Sequence, residues 1–236
     1  LSHWNAKRVG VESTDAPFLW FCDAHNIISR DSLYKMFELY KSSYKTLEGT
    51  IHLPLTYQIM EWHSLIYSLV TDYDIGKLHY RFASYRPSEK PYEVPCMSTC
   101  GVMMTRELYE DVGGWPKELG IYGGGEDFLN FTLGVMGYKK WIMPVPPLYH
   151  HGDRRGYAAT YTDGLRNRAI ASYLYGGEAW MLRQLDNSRG RPNVKKIIAE
   201  DVLVKCKAQR DFIFSKQRYT VKEFIDKWKT ATGLTV

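Results

Sequence analysis

The chain has no run of about 18 uninterrupted apolar residues, so no transmembrane helix is expected. Cysteine is sparse: Cys22, Cys96, Cys100 and Cys206 are the 4 in 236 residues. They show no CxxC spacing and no dense framework, which argues against a disulfide-stapled fold and points to a reducing, cytoplasmic compartment. Internal repeats and low-complexity tracts are also absent, so neither a solenoid nor a disordered linker protein is expected. The chain opens Leu1-Ser2-His3-Trp4, without an initiator methionine and without the pattern of a signal peptide. This start reads as the interior of a longer chain whose beginning is missing.

What is present is globular. Hydrophobic residues make up 44% and charged residues 24%, enough to bury a substantial core. The net charge of +5 is unevenly placed. Between Gly164 and Val236, 15 Lys/Arg stand against 7 Asp/Glu, a net +8, so residues 1–163 carry −3. A basic end on a mildly acidic body suits either a polyanionic partner such as nucleic acid or a plain solvated helical surface.

The stretch around which the chain is organised is PFLWFCDAHN, Pro17 to Asn26. Phe18 to Cys22 reads as a short strand buried on both faces. It ends in Asp23-Ala24-His25, at the sheet edge where open α/β folds keep their ligands. Either Asp23 caps the next helix and His25 is an ordinary loop residue, or both face one divalent cation. An oxygen–nitrogen pair suits manganese or zinc better than calcium.

Ahead of that strand, residues 1–16 read as a helix end and a turn. After it, Ser29 or Asp31 starts a helix to about Tyr44, with Leu33, Met36, Phe37 and Tyr40 on its core face. Thr50 to Leu55 reads as a strand and Glu61 to Val70 as an amphipathic segment. Thr71 to Pro95, rich in tyrosine and proline, reads as a long loop with a short strand inside it, its rings free to stack on a sugar or base or simply to pack. Cys96 to Thr105 reads as a strand and Arg106 to Val112 as a short helix. Gly123-Gly124-Gly125 offers backbone that a ligand can approach closely. Glu126 and Asp127 follow in the first turn of a helix, where acidic residues suit the helix dipole and also suit work as a base. Tyr138 to Val145 reads as a strand leading to His150-His151-Gly152, with Arg154 and Arg155 placed to meet an anion. Tyr161–Arg183 and Val194–Phe214 read as two helices, and Thr220 with Glu223 as the capping box of a last one.

In this order and spacing, the motifs resemble the GT-A glycosyltransferases, particularly the polypeptide N-acetylgalactosaminyltransferases and related family 2 enzymes. The resemblance runs from about Ala6 to Tyr157: an A-K-x-x-G helix end, D-A-H, Cys100-Gly101, G-G-W, G-G-G-E-D, and H-H-G before two arginines. It implies an α/β GT-A fold, Rossmann-like, with a mostly parallel sheet flanked by helices. The expected division is a catalytic region over residues 1–160 and a basic helical extension over 161–236, with an N-terminal nucleotide-binding part missing.

By the same resemblance Asp23 and His25 hold manganese or another divalent ion. His150 or His151 is a further ligand, with His151 preferred because it directly precedes the glycine. Lys7, standing where the family has arginine, together with Gly101, Arg154 and Arg155, lies toward the donor, a nucleotide sugar most simply linked to UDP. Glu126 and Asp127 orient or deprotonate the acceptor hydroxyl. β-1,4-Galactosyltransferases share G-G-E-D and invert, whereas the N-acetylgalactosaminyltransferases have asparagine there and retain, so the stereochemistry stays open. The basic end makes hydroxymethylated DNA one acceptor to weigh against protein, polysaccharide or lipid. The rivals are a non-catalytic nucleic-acid- or sugar-binding module on the same scaffold, and a zinc hydrolase.

Overall fold

Alternation, rather than burial on both faces, governs the first strand. In the computed structural model, which describes residues 2–57, 64–152 and 157–232, Leu19 and Phe21 are buried while Phe18 and Trp20 are half-buried. This strand, β1 (Phe18–Phe21), follows α1 (His3–Glu12). The helix starts earlier than expected because the Ser2 hydroxyl accepts from Asn5 N at 3.3 Å and caps it. After β1 come β2 (Asn26–Ile27), α2 (Arg30–Leu47), β3 (Gly49–His52) and β4 (Leu55–Thr56). Met36 and Tyr40 lie on the buried face of α2, and Phe18 is covered edge-on by Phe37, Tyr40 and Tyr44.

Next come β5 (Leu65–Asp72) and β6 (Lys77–Ser84), an antiparallel hairpin in place of the expected amphipathic segment and long loop. The hairpin turns at Gly76, whose φ of +67° belongs to the left-handed region. Residues 61–63, the start of that expected segment, lie outside the described residues. The chain continues through β7 (Tyr92–Glu93), β8 (Val102–Thr105), α3 (Arg106–Asp111), α4 (Gly125–Val135), β9 (Lys139–Ile142) and β10 (Leu148–His150). The helical end comprises α5 (Tyr161–Gly176), α6 (Glu178–Asp186), α7 (Pro192–Lys205), α8 (Lys207–Lys216) and α9 (Val221–Thr232). Each of the two long helices expected there is broken, at Gly177 with φ +82° and at Cys206.

The strands form two five-stranded sheets, ordered β1-β8-β3-β9-β7 and β2-β10-β4-β5-β6. Pairing is mixed rather than mostly parallel: β3·β9 and β4·β10 run parallel, and the other pairings described are antiparallel. The antiparallel share comes from strands such as β8, which inserts between β1 and β3 by returning along both. The fold is therefore α/β, with mixed sheets and a helical C-terminal region. One continuous core runs from Trp4 through Phe128 and Phe131 to Trp180 and Phe224. Among the described residues no helix is long and apolar enough to cross a membrane.

Candidate functional site

β1 ends at Phe21, and the chain turns at once, with Asn26 N donating to Asp23 O at 3.2 Å. That turn leads into β2, which pairs antiparallel with β10 so that His150 lies opposite Asn26. The pairing brings residues from distant parts of the chain together. His150 Nε2 stands 3.3 Å from Asp23 Oδ2 and 3.1 Å from His25 Nε2, the two rings edge to face. Asp23 does not cap α2, whose N-cap is Ser29.

Successive side chains of a strand alternate in direction. His151 accordingly turns the other way, and its Nδ1 lies 2.8 Å from the Tyr149 hydroxyl. His150, the alternative to the preferred His151, is thus the histidine that meets Asp23 and His25. A donor not foreseen from the sequence completes the group. Ligand atoms of Asp23, Cys100 and His150 all lie within 4.8 Å of one another. Carboxylate, imidazole and thiol donors at this spacing fit a divalent transition ion.

Lys7 reaches the same place from α1. Its Nζ is 3.1 Å from Asp23 Oδ1 and donates to Thr99 O at 3.3 Å. Burial alone would raise the Asp23 carboxyl, but the His150 contact and the Lys7 ammonium outweigh it and hold the group well below the usual carboxylate range. Burial pushes the Cys100 thiol up to about 12, while its Sγ lies 2.6 Å from Ser98 Oγ. A cavity of about 340 Å³ between α1 and β1 ends at Lys7 and Cys22.

Glu126 sits beside this group through Thr99, the neighbour of Cys100. Its Oε1 accepts from Thr99 N, Thr99 Oγ1 and Tyr67 Oη, each at 3.3 Å, and its Oε2 accepts from Tyr80 Oη at 2.5 Å. Tyr67 and Tyr80 stack face to face at 4.4 Å. Phe82 packs against Tyr67 and Tyr57, and Tyr57 against His150, so one aromatic wall links the Glu126 carboxylate to the histidines. Of this wall, Tyr80 and Phe82 fall in the stretch from Thr71 to Pro95 that the sequence read as a long loop. The alternation of Leu78, Tyr80 and Phe82 with Lys77, His79 and Arg81 is the signal that would have found the second strand of the hairpin.

Asp127, one position along α4, faces elsewhere. It is buried, its Oδ1 has no hydrogen-bond partner among the described residues, and it lines a cavity of about 430 Å³ that Glu126, Asp23 and His150 do not border. Burial, only partly offset by Arg168, pushes its carboxyl up to about 7.

The glycines singled out in the sequence make close contacts within the protein. Gly101, at φ +97°, donates to Phe21 O at 2.7 Å and accepts from Leu53 N, stitching β1 to β3. The Gly123–Gly125 run is crowded by the protein itself: a Cβ on Gly124 would stand 2.4 Å from Asn167 backbone, and one on Gly125 2.3 Å from the Trp4 ring. Arg154 and Arg155 lie outside the described residues.

No protein-family model matches the chain, and no curated protein matches it. Among solved structures it is similar to GalNAc-T7, in a crystal structure with UDP, GalNAc and Mn2+. The TM-score is 0.67 at 14% identity, over 97% of this chain and 43% of that one. The chain therefore has a GT-A-like fold and spans less than half the length of this neighbour.

Proposed function

We propose that this chain is the metal-binding and acceptor-facing part of a glycosyltransferase that moves a sugar from a UDP-linked donor to an acceptor hydroxyl. The observation that carries the reading is the convergence of Asp23, His25 and His150 beside a Glu126 held by Tyr67, Tyr80 and Thr99, on a GT-A fold. The neighbour's UDP and Mn2+ agree with this chemistry.

Asp23, His25 and His150 would hold the ion, with Cys100 as a further donor in reach. A divalent ion there supplies charge stabilisation for the diphosphate that leaves. Lys7 positions Asp23 and adds a second positive charge on the same side. Glu126 is fixed by donors on both oxygens and so presents a carboxylate of defined direction to a sugar or acceptor hydroxyl. The aromatic wall of Tyr57 and Phe82 suits the apolar face of a sugar ring.

The decisive experiment is UDP release from UDP-sugars by the full-length protein, with and without Mn2+, in wild type and Asp23→Ala. Manganese-dependent release that disappears in the variant is expected. Absence of release and of UDP binding in a folded protein would refute the transferase reading in favour of a binding module. Acceptor trials then compare glycans, peptides and hydroxymethylated DNA. Much of the C-terminal basic charge is engaged internally, as in Arg166–Asp201, Lys216–Asp111 and Lys227–Glu93, which weakens the case for nucleic acid.

A further inference from the structure

The cavity between the β5–β6 hairpin and the helical end lies apart from the metal-ligating cluster, and Asp23, His25, His150 and Lys7 do not line it. Its two walls are tied together. Asn187, just past α6, donates to Ile75 O at 2.9 Å, and a Cβ on Gly76 would stand 2.8 Å from the Arg183 side chain. The segment after α6 is fixed as well, with Arg189 N donating to the Tyr161 hydroxyl at 3.0 Å. Into this frame come cations from separate parts of the chain: Lys77 of β6, Arg168 of α5, and Arg189. None of them has an ion pair among the described residues, whereas Lys205, Lys207 and Lys222 of the same helical end each hold a carboxylate.

Unpaired cations gathered in one place repel one another, and a bound anion relieves that cost. Burial, and after it the Arg168 and Lys77 charges, hold the His79 imidazole below its usual range, so these groups share one field. Among the described lining residues Asp127 is the one acid. It is buried, and burial pushes its carboxyl up to about 7, so near pH 6 the cavity is cationic. Guanidinium groups bond phosphate oxygens in pairs, and a phosphate ester brings several acceptor oxygens and more charge than a carboxylate. At about 430 Å³ the cavity is of small-molecule size and takes more than a phosphate, with Leu78, Leu165 and the Tyr161 ring beside it. We propose that this cavity binds the phosphate group of an organic phosphate ester, with Arg168 and Arg189 donating to its oxygens and Lys77 adding charge. The assignment is independent of the transferase reading.

Calorimetric titration of the full chain tests this near pH 6, at physiological salt and with a chelator in place of metal. The probes are thymidine monophosphate, a short oligothymidylate and, as the uncharged control, thymidine. At least one phosphate probe should bind, and thymidine should not. Arg168→Gln and Arg189→Gln should each weaken binding about tenfold, the loss expected for a charge-assisted hydrogen bond. Both side chains are exposed, so neither change should move the thermal midpoint. Lys205→Gln removes the same charge outside the cavity and Asp23→Ala disables the metal side, and both should bind as wild type does. Silence of a folded wild-type chain toward both phosphate probes overturns the proposal. So does equal binding of thymidine, a signal that survives both arginine variants, or one that falls as far in Lys205→Gln or Asp23→Ala. Binding of the monophosphate upholds the site and gives it to a small phosphate ester. Binding of the oligothymidylate alone upholds it and gives it to a polynucleotide backbone.

Discussion

Asp23 and Asp127 are both withdrawn from water, and their neighbours drive them in opposite directions. Burial raises each, but Asp23 has His150 and Lys7 in contact, whereas Asp127 has no ion pair among the described residues. The folded state therefore prefers Asp127 protonated up to about pH 7, while the unfolded chain ionises it near 4. The stability this group contributes is fully present below the unfolded value and is lost as pH rises through about 7. Asp127→Asn is neutral throughout and removes that slope. Denaturant melts between pH 5 and 8 should show wild type losing on the order of 2–3 kcal/mol relative to the variant. Parallel curves would show that Asp127 does not titrate in this range. Asp23 has the opposite sign: its contribution is present above about pH 4 and is lost as pH falls through its depressed value.

Helix α4 carries both Glu126 and Asp127, and its first turn is held by contacts that only glycine permits. Trp4 lies against Gly125, and its indole Nε1 donates to Gly123 O at 3.1 Å. Asn167 of α5 donates to the carbonyls of Tyr122 and Gly123. Gly125→Ala drives a methyl into the indole and should cost about 1–3 kcal/mol, read as a lowered thermal midpoint. Gly10→Ala is the control. Its Cβ meets nothing within 4 Å, it sits inside α1, and the change should stabilise by about 0.5–1 kcal/mol. Equal effects at the two positions would mean that Trp4 does not clamp the turn. The glycine run was legible as a place of close approach. What approaches was not, because Trp4 and Asn167 come from remote parts of the chain.

At the scale of the molecule, the helical end is continuous with the sheets. Phe224 of α9 packs on Phe131 of α4 with ring centroids 6.3 Å apart, and it lies under the buried Lys140 ammonium of β9. Burial lowers that ammonium to about 8. Phe131 also meets Tyr175 of α5, and Arg166 of α5 donates to Glu118 O. The boundary expected near residue 160 thus crosses shared core. Residues 1–160 expressed alone should fail to give a cooperative melt, because α4 would lose the surfaces of α5 and α9 together. A sharp, reversible transition from that fragment would show two independent units.

Much of the outline was written locally. The end of β1 at D-A-H, the helix opened by Glu126 and Asp127, the H-H-G turn and the order of these motifs follow from short-range signals. Those signals were enough to point to a GT-A fold. Tertiary structure alone decided which groups meet. Pairing of β10 with β2 turned His150 rather than His151 toward Asp23, since a strand sends neighbouring side chains to opposite sides. The turn before β8 delivered Cys100 to the same place, and the β5–β6 hairpin delivered the tyrosines that hold Glu126. The direction of a side chain in a sheet is set by the strand it pairs with. That partner lies far along the chain, beyond what any local window of sequence can show.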